Sequence, residues 1–344
     1  MSLPALRTLL HPRLCKRGRQ AGATIKSTAF SGRLDISVLI ATRDRAAILD
    51  RTLAHFGAME LGELRWEVIV IDNGSSDATP DVLSKHAESL PIVSLVEPLP
   101  GKNRALNLGL QSARGELLVF TDDDIIPDRR WLSALHAASN RWPDVAVFGG
   151  PIIPTFPAGT PEWVADPSFS YAAQAFGRFD PQMKEGYIEH TPYGANLAIR
   201  SHVFESLRYN ESVGPAGGNY IQGSELELLL RLKEQGERFV FVPAASVEHV
   251  ITAEQVTLPW LFNRAFRYGR GMAHFKRSTQ TDGLLFGAPR TMWWNLLESW
   301  VRHVLSVFRS GPARFRAGER FYYMWGRLSE HRRLAERAAG DERC

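Results

Sequence analysis

The stretch Leu117-Leu118-Val119-Phe120-Thr121-Asp122-Asp123-Asp124 constrains the fold of this chain more than any other. An apolar and β-branched run leads straight into three carboxylates. Such a run, bounded by turn formers, reads as a buried strand. Ile125, Ile126 and Pro127 follow and prevent a simple helix start. The acids therefore stand at the C-terminal tip of an interior strand, where open α/β sheets place their ligands. Three adjacent carboxylates repel one another. A hard divalent cation with oxygen ligands relieves that repulsion, with a ligand's phosphates completing the shell. Taken alone, the triplet fits a solvated acidic turn equally well. Its position after a buried strand, with further motifs on both sides, favours the cation site.

The rest of that sheet begins at Asp35. Ile36 to Ala41 reads as the first strand, and Arg45 to Phe56 carries Ile48, Leu49, Leu53 and Phe56 at helical spacing. Trp66 to Ile71 is a second strand that runs into the turn Asp72-Asn73-Gly74-Ser75-Ser76-Asp77. Asp77 or Thr79 can cap the next helix, with Pro80 near its first position. Ile92 to Val96 is a third strand, and Gly101 to Ala113 a helix closed by Gly115. This alternation predicts an α/β fold, a mostly parallel sheet flanked by helices with right-handed crossovers. Beyond Pro127, Trp131 to Trp142 reads as a helix and Val145 to Phe148 as a strand. Residues 149–167, rich in Pro and Gly, read as a long loop or edge structure. Glu225 to Lys233 is helical, and the short strand Phe239 to Val242 leads to Pro243 and His249. Residues 293–308 put Trp294, Leu297, Val301, Val304, Leu305 and Phe308 on one helical face.

Composition excludes several classes. Of 344 residues, 44% are hydrophobic and 23% charged, as in a folded globular protein with room for one large or two ordinary domains. Cys15 and Cys344 lie near opposite ends and predict neither a disulfide framework nor a metal-ligand spacing. No uninterrupted apolar run is long enough to span a membrane, and Met1 to Leu10 lacks a signal-peptide pattern. The net charge of +4 hides a division. Residues 1–34 hold seven Lys/Arg and no acid, and residues 256–344 hold sixteen Lys/Arg against seven acids. The middle, which carries the Asp triplet, is acidic. Basic ends suit anionic membrane or nucleic acid, or are solvated tails and helix faces.

These ordered motifs resemble those of the inverting glycosyltransferases of family 2, which have the GT-A fold. The likeness spans about Asp35 to Val250. Ala41-Thr42-Arg43-Asp44 resembles an opening turn that often reads Pro-Thr-Tyr-Asn, with Arg43 in place of an aromatic that can stack on the donor base. Asp72 to Asp77 resembles the second-strand motif, whose first Asp contacts the nucleobase in relatives. Gly101-Lys102-Asn103-Arg104-Ala105-Leu106-Asn107 resembles the segment that reaches the nucleotide, and Asp122-Asp123-Asp124 the DXD motif. Gly223-Ser224-Glu225-Leu226-Glu227-Leu228 occupies the place of a Gly-Glu-Asp-x-Asp/Glu-Leu motif, with Glu225 at the usual base. His249 lies where some relatives have a further metal or phosphate ligand.

The resemblance implies a nucleotide-sugar half at about 35–127 and an acceptor half at about 128–255. Residues 1–34 would be a basic flexible arm and 256–344 a basic amphipathic helical extension. It implies metal-dependent transfer of a single sugar from a nucleotide-diphosphate sugar to a hydroxyl acceptor, a glycan or lipid-linked one. The cofactor would be Mn2+ or Mg2+, with no nucleic-acid partner; the oligomeric state stays open. Donor contacts would come from Thr42, Arg43, Asp44, Asp72, Lys102, Arg104, Asp122 and Asp123, and metal ligands from Asp122, Asp124 and His249. A hydroxyl is a weak nucleophile near pH 7, so a carboxylate must take its proton, and Glu225 is the candidate. Glu227 points away at i+2 and is the weaker one. Asn196 is a candidate for the acceptor pocket or a turn, and Trp163 for sugar stacking or plain packing.

Rival readings are weaker. Ala41 to Ala47 lacks the glycines of a nucleotidyltransferase phosphate loop, and no G-x-G-x-x-G follows a strand as a dehydrogenase requires. An Asp-nucleophile phosphatase would carry its acids after the first strand. A non-catalytic glycan-binding relative is kept open by Ser224 and Arg43. A processive synthase is kept open by Arg264-Ala265-Phe266-Arg267-Tyr268, a partial likeness to its Gln/Arg-x-x-Arg-Trp motif. The expected location is cytoplasmic, at the inner face of a membrane if the basic C-terminal region engages lipid. Trp293, Trp294, Trp300, Phe308, Tyr322, Tyr323 and Trp325 motivate that expectation; packing on the catalytic domain or dimerisation is the alternative.

Overall fold

The computed structural model describes residues 25–26, 32–169, 174–217, 220–275 and 284–341. Residues 1–24 and 27–31 of the expected basic arm, and both cysteines, lie outside them. Four strands with near-continuous Val, Ile and Leu make the parallel heart of the sheet. They are β2 (Leu34–Thr42), β3 (Trp66–Asp72), β4 (Ile92–Val96) and β5 (Gly115–Thr121), after a two-residue edge strand β1 (Ile25–Lys26). The period-2 pleat splits their side chains between two cores. Ile36, Val38, Ile40, Val68 and Val70 face α1 (Ala46–Phe56), α2 (Thr79–His86) and α4 (Trp131–Arg141). Leu39, Ile69, Ile71, Leu118 and Phe120 face α3 (Lys102–Leu110) and α6 (Ser224–Glu234). Helices thus cover both faces, as parallel strands require.

The sheet is less parallel than expected beyond β5. Its order is β1-β4-β3-β2-β5-β10-β7-β11-β9, using β7 (Val147–Gly149), β9 (Gly186–Ile188), β10 (Leu197–Arg200) and β11 (Phe239–Phe241). β10 runs antiparallel to both β5 and β7, so the half of the sheet beyond β5 is mixed. The segment 149–167, expected as a long loop or edge structure, carries the edge strand β8 (Ile152–Thr155) and the short helix α5 (Glu162–Ala165). Pro154 fits there because β8 is an edge strand. α3 stops at Leu110, and Gly115 opens β5 instead of closing the helix.

Two registers position the site. Thr42 pairs with Asp72, and Ile40 with Thr121, so three strand ends finish side by side. A small second sheet then joins β6 (Ile125–Pro127) to β12 (Val247–Val250), with His249 opposite Ile125. Val250 N–H donates to the Asp124 carbonyl at 2.9 Å. A residue 125 positions downstream is thereby delivered to the acid triplet.

The C-terminal region is α7 (Leu258–Phe275), β13 (Leu284–Leu285), β14 (Ala288–Pro289), α8 (Arg290–Leu305) and α9 (Gly311–Asp341). α7 and α9 approach closely: a Cβ on Gly269 would strike the Tyr323 carbonyl, and one on Gly326 the Phe266 carbonyl. The Arg270 guanidinium and the fully buried Glu330 carboxylate meet at 2.9 Å between them. No helix among the described residues is long and apolar enough to cross a membrane.

Candidate active site

The three acids of the triplet have different surroundings, with Arg45 shared by two of them. Asp123 turns inward: Thr42 Oγ1 donates to its Oδ2 at 2.6 Å, and Arg45 Nη1 meets its Oδ1 at 2.8 Å. Thr52, on α1, donates to the Asp123 and Ile125 carbonyls and clamps the loop from below. Burial pushes the Asp123 carboxyl up to about 6, against the pull of Arg45. Asp124 is equally buried, and Arg45 Nη2 meets its Oδ2 at 2.7 Å. Burial opposes its charge too, but His249 and Arg45 overcome that and hold it below the usual carboxylate range. Asp122 is more open, and Lys102 Nζ lies 2.7 Å from its Oδ1.

His249 supplies the test of whether this group suits a cation. Its Nδ1 lies 2.8 Å from the Phe176 carbonyl. A carbonyl only accepts, so Nδ1 carries the proton and a neutral ring presents the Nε2 lone pair. That Nε2 points at Asp124 Oδ1, 3.2 Å away, a buried oxygen with no hydrogen-bond partner among the described residues. Two acceptors so placed need a proton or a metal ion between them. Burial disfavours the imidazolium, but Asp124 outweighs burial and raises the His249 pKa. Asp122, Asp124 and His249 each offer one ligand atom, all within 4.8 Å of one another. Two carboxylates, and an imidazole oriented by its second nitrogen, are a donor set that fits a divalent cation.

Glu225 sits in the first turn of α6. Lys102 Nζ, at the start of α3, lies 2.9 Å from its Oε1 and so bridges Glu225 to Asp122. Burial works against the Lys102 charge, yet the two carboxylates hold its pKa well above the ordinary range. Gly194 packs against the Glu225 carboxyl so closely that any Cβ there would collide with it.

The family model described as "Glycosyl transferase family 2" matches residues 37–208. The chain belongs to glycosyltransferase family 2. Among curated relatives of this transferase, a glucosyl-dolichyl phosphate glucuronosyltransferase of Haloferax volcanii is 27% identical over 163 residues, 47% of this chain and 51% of that protein. Glycosyltransferase AglE of the same organism is 24% identical over 241 residues, 69% of this chain and 72% of that protein. The fold matches the mannosyltransferase PcManGT of Pyrobaculum calidifontis, solved with GDP-Man and Mn2+. The TM-score is 0.58 at 17% identity, covering 88% of this chain and 89% of that one. The matched segment ends before Glu225 and His249, which the fold brings to the acids from outside it.

The transferase does not gather every expected residue. Arg43 lies beside its neighbour Asp44 at 3.5 Å, and Arg104 pairs with Glu211 at 2.8 Å; both are partly exposed. Asp44 accepts from the Ser76 N–H and hydroxyl, and Asp77 from the Ala46 N–H, tying two strand-end loops together. Asp72 accepts the Ser75 N–H at 2.8 Å, a turn-forming bond. Asn196 contradicts the acceptor expectation. It is fully buried, its amide donating to the Pro151 and Ala245 carbonyls and its oxygen accepting from Trp131 Nε1. Glu227 pairs with Arg231 one turn on. Trp163 packs between Phe169 and Phe315, with ring centroids 5.5 and 5.4 Å away, so packing accounts for it.

Three residues take places in the site that the sequence reading did not assign to them. Arg45 entered it only as a helix start, and the one signal for its role is a cation near a strand end opposite an acid run. Asn73 donates to the Glu97 and Leu99 carbonyls and accepts the Gly101 N–H, holding the loop that launches Lys102. Arg264 on α7 is near enough to Asp122 and Tyr193 for both to act on its charge, while burial lowers its pKa.

Proposed function

We propose that this family 2 glycosyltransferase carries out metal-dependent, inverting transfer of one sugar from a nucleotide-diphosphate donor to a hydroxyl acceptor. The observation that carries the reading is the meeting, at one strand end, of a three-ligand cation set and a carboxylate tied to it through Lys102. Asp122, Asp124 and His249 would hold the ion. Bound there, a divalent cation supplies charge stabilisation for the departing diphosphate. A set with one imidazole suits Mn2+ better than Mg2+, which prefers oxygen ligands throughout.

The chain's own residues do the rest. Lys102 adds positive charge beside the leaving group, and its move from Glu225 to phosphate frees that carboxylate. Glu225 then takes the acceptor hydroxyl's proton as the oxygen bonds to the anomeric carbon. The bond from that carbon to the diphosphate oxygen breaks, and the nucleoside diphosphate leaves with the electron pair. Attack opposite the leaving group inverts the anomeric centre. Arg45, Thr42 and Thr52 fix the acids, and Asp72 lies at the adjacent strand end on the nucleoside side. A lipid-linked acceptor at a cytoplasmic membrane face is the acceptor reading we favour; the archaeal relative named for glucosyl-dolichyl phosphate supports it.

The test is a panel of UDP- and GDP-sugars with Mn2+, scored by nucleoside diphosphate release and by proton NMR of the transferred sugar. The expected product has the anomeric configuration opposite to that of the donor. Retention would overturn the single-displacement mechanism.

A further inference from the structure

α8 is apolar on two sides, and the protein covers only one. Its inner side is spent: Met292 is buried against Ala288 and Leu328, and the His303 ring stacks on Phe321 of α9. This packing fixes the rotation of the helix. The outer side then carries Trp294, Leu297, Val301, Val304, Leu305 and, in the turn that follows, Phe308, all in solvent. Trp294 is 73% exposed and Phe308 96%. A contiguous exposed apolar stripe of this size marks an interaction surface.

The rim says which. Arg290 and Arg302 on α8, Arg309 just after it and Arg314 in the first turn of α9 are all exposed, while Glu298 is already paired with Arg302 at 2.7 Å. A second copy meeting this face about a two-fold axis would press that basic rim against itself. An anionic bilayer accepts both features, with the apolar stripe entering the acyl boundary and the arginines remaining among the headgroups. We propose that the outer face of α8 is a docking surface for an anionic lipid bilayer, with α8 lying in the plane of the interface.

The structure also separates the aromatics that the sequence grouped together. Trp293 is held back by its Nε1 bond to the Leu285 carbonyl, Tyr322 stacks on Phe262, and Tyr323 packs on Tyr268. They belong to the packed side; Trp294, Trp300 and Phe308 belong to the docking side.

The proposal is independent of the transfer reaction, because vesicle binding is measured with no donor or metal present. Full-length protein is floated with phosphatidylcholine vesicles, with and without about one third phosphatidylglycerol, at low and high salt. The expected result is binding to the anionic vesicles only, weakened by salt as exposed charge attraction must be. A triple variant, Trp294→Ser, Leu305→Ser and Phe308→Ser, should bind about 10-fold more weakly with an unchanged melting temperature, since nothing in the fold rests on those side chains. The Trp293→Phe control should bind as the native protein does. No binding, equal binding by the triple variant, or a lipid-free dimer that the variant abolishes would each overturn the proposal.

Discussion

The strand ends that carry the acid triplet and the outer face of α8 handle charge and oil in opposite ways. Around the triplet, apolar side chains are inside and charged groups are buried too: Asp123 and Asp124 are each 3% exposed, and each has a cationic partner. On α8 the charges are in water and the apolar groups stand out beside them. A buried ion pair is costly to desolvate and adds little net stability, so a cluster of them points to a task in that place. An uncovered apolar stripe costs solubility and likewise points to a task. The contrast teaches that function here is marked by departures from ordinary burial, with opposite signs in the two regions.

The largest effect falls on the acid side. Asp124→Ala removes the residue shared by Arg45 and His249, and turnover should drop by about 10³-fold, the several kcal/mol a metal site supplies. Steady-state kinetics check it; near-native turnover would make the triplet a mere acidic turn. Glu225→Gln keeps size and polarity while removing the proposed base. It should lower kcat by about 10²-fold with donor affinity almost unchanged. A near-normal rate would move the base to Glu227.

Asn196→Ala sharpens the line between site and scaffold. It strands the Trp131 N–H and two carbonyls, so chemical denaturation should show a loss of about 2–3 kcal/mol. Acceptor KM should not change if Asn196 is scaffold alone. An effect confined to acid pH is expected at the C-terminal ion pair. Burial opposes the Glu330 charge, but His274, Arg333 and Arg270 hold its pKa at about 2. Between the ordinary glutamate value and about 2, the unfolded chain binds the proton and the folded one does not. Stability from this group is therefore full above about pH 4.5 and is lost as pH falls toward 2. Glu330→Gln should flatten that part of a stability–pH curve.

The parallel half of the sheet was legible in the sequence because local rules decide it. Runs such as Val68 to Ile71 read as strands from their own residues, whereas the expected cap by Asp77 or Thr79 is not made: Ala78 is the N-cap of α2, with no side-chain cap bond. The antiparallel β10 was not legible, since strand direction depends on long-range pairing that the pleat does not encode. The same holds within the site. Asp122 and Asp124 announce themselves by adjacency, whereas Arg45 and Asn73 matter through partners 24 to 79 positions away. Amphipathicity showed that residues 293–308 have an apolar face, but not that α9 would cover the other one.

The most direct test of the cation site is nucleotide-sugar turnover by the native protein after EDTA treatment, then with Mn2+ restored. Turnover should fall to background in chelator and return with Mn2+, because Asp122, Asp124 and His249 would then regain the ion proposed for them. An undiminished rate in chelator would contradict the account.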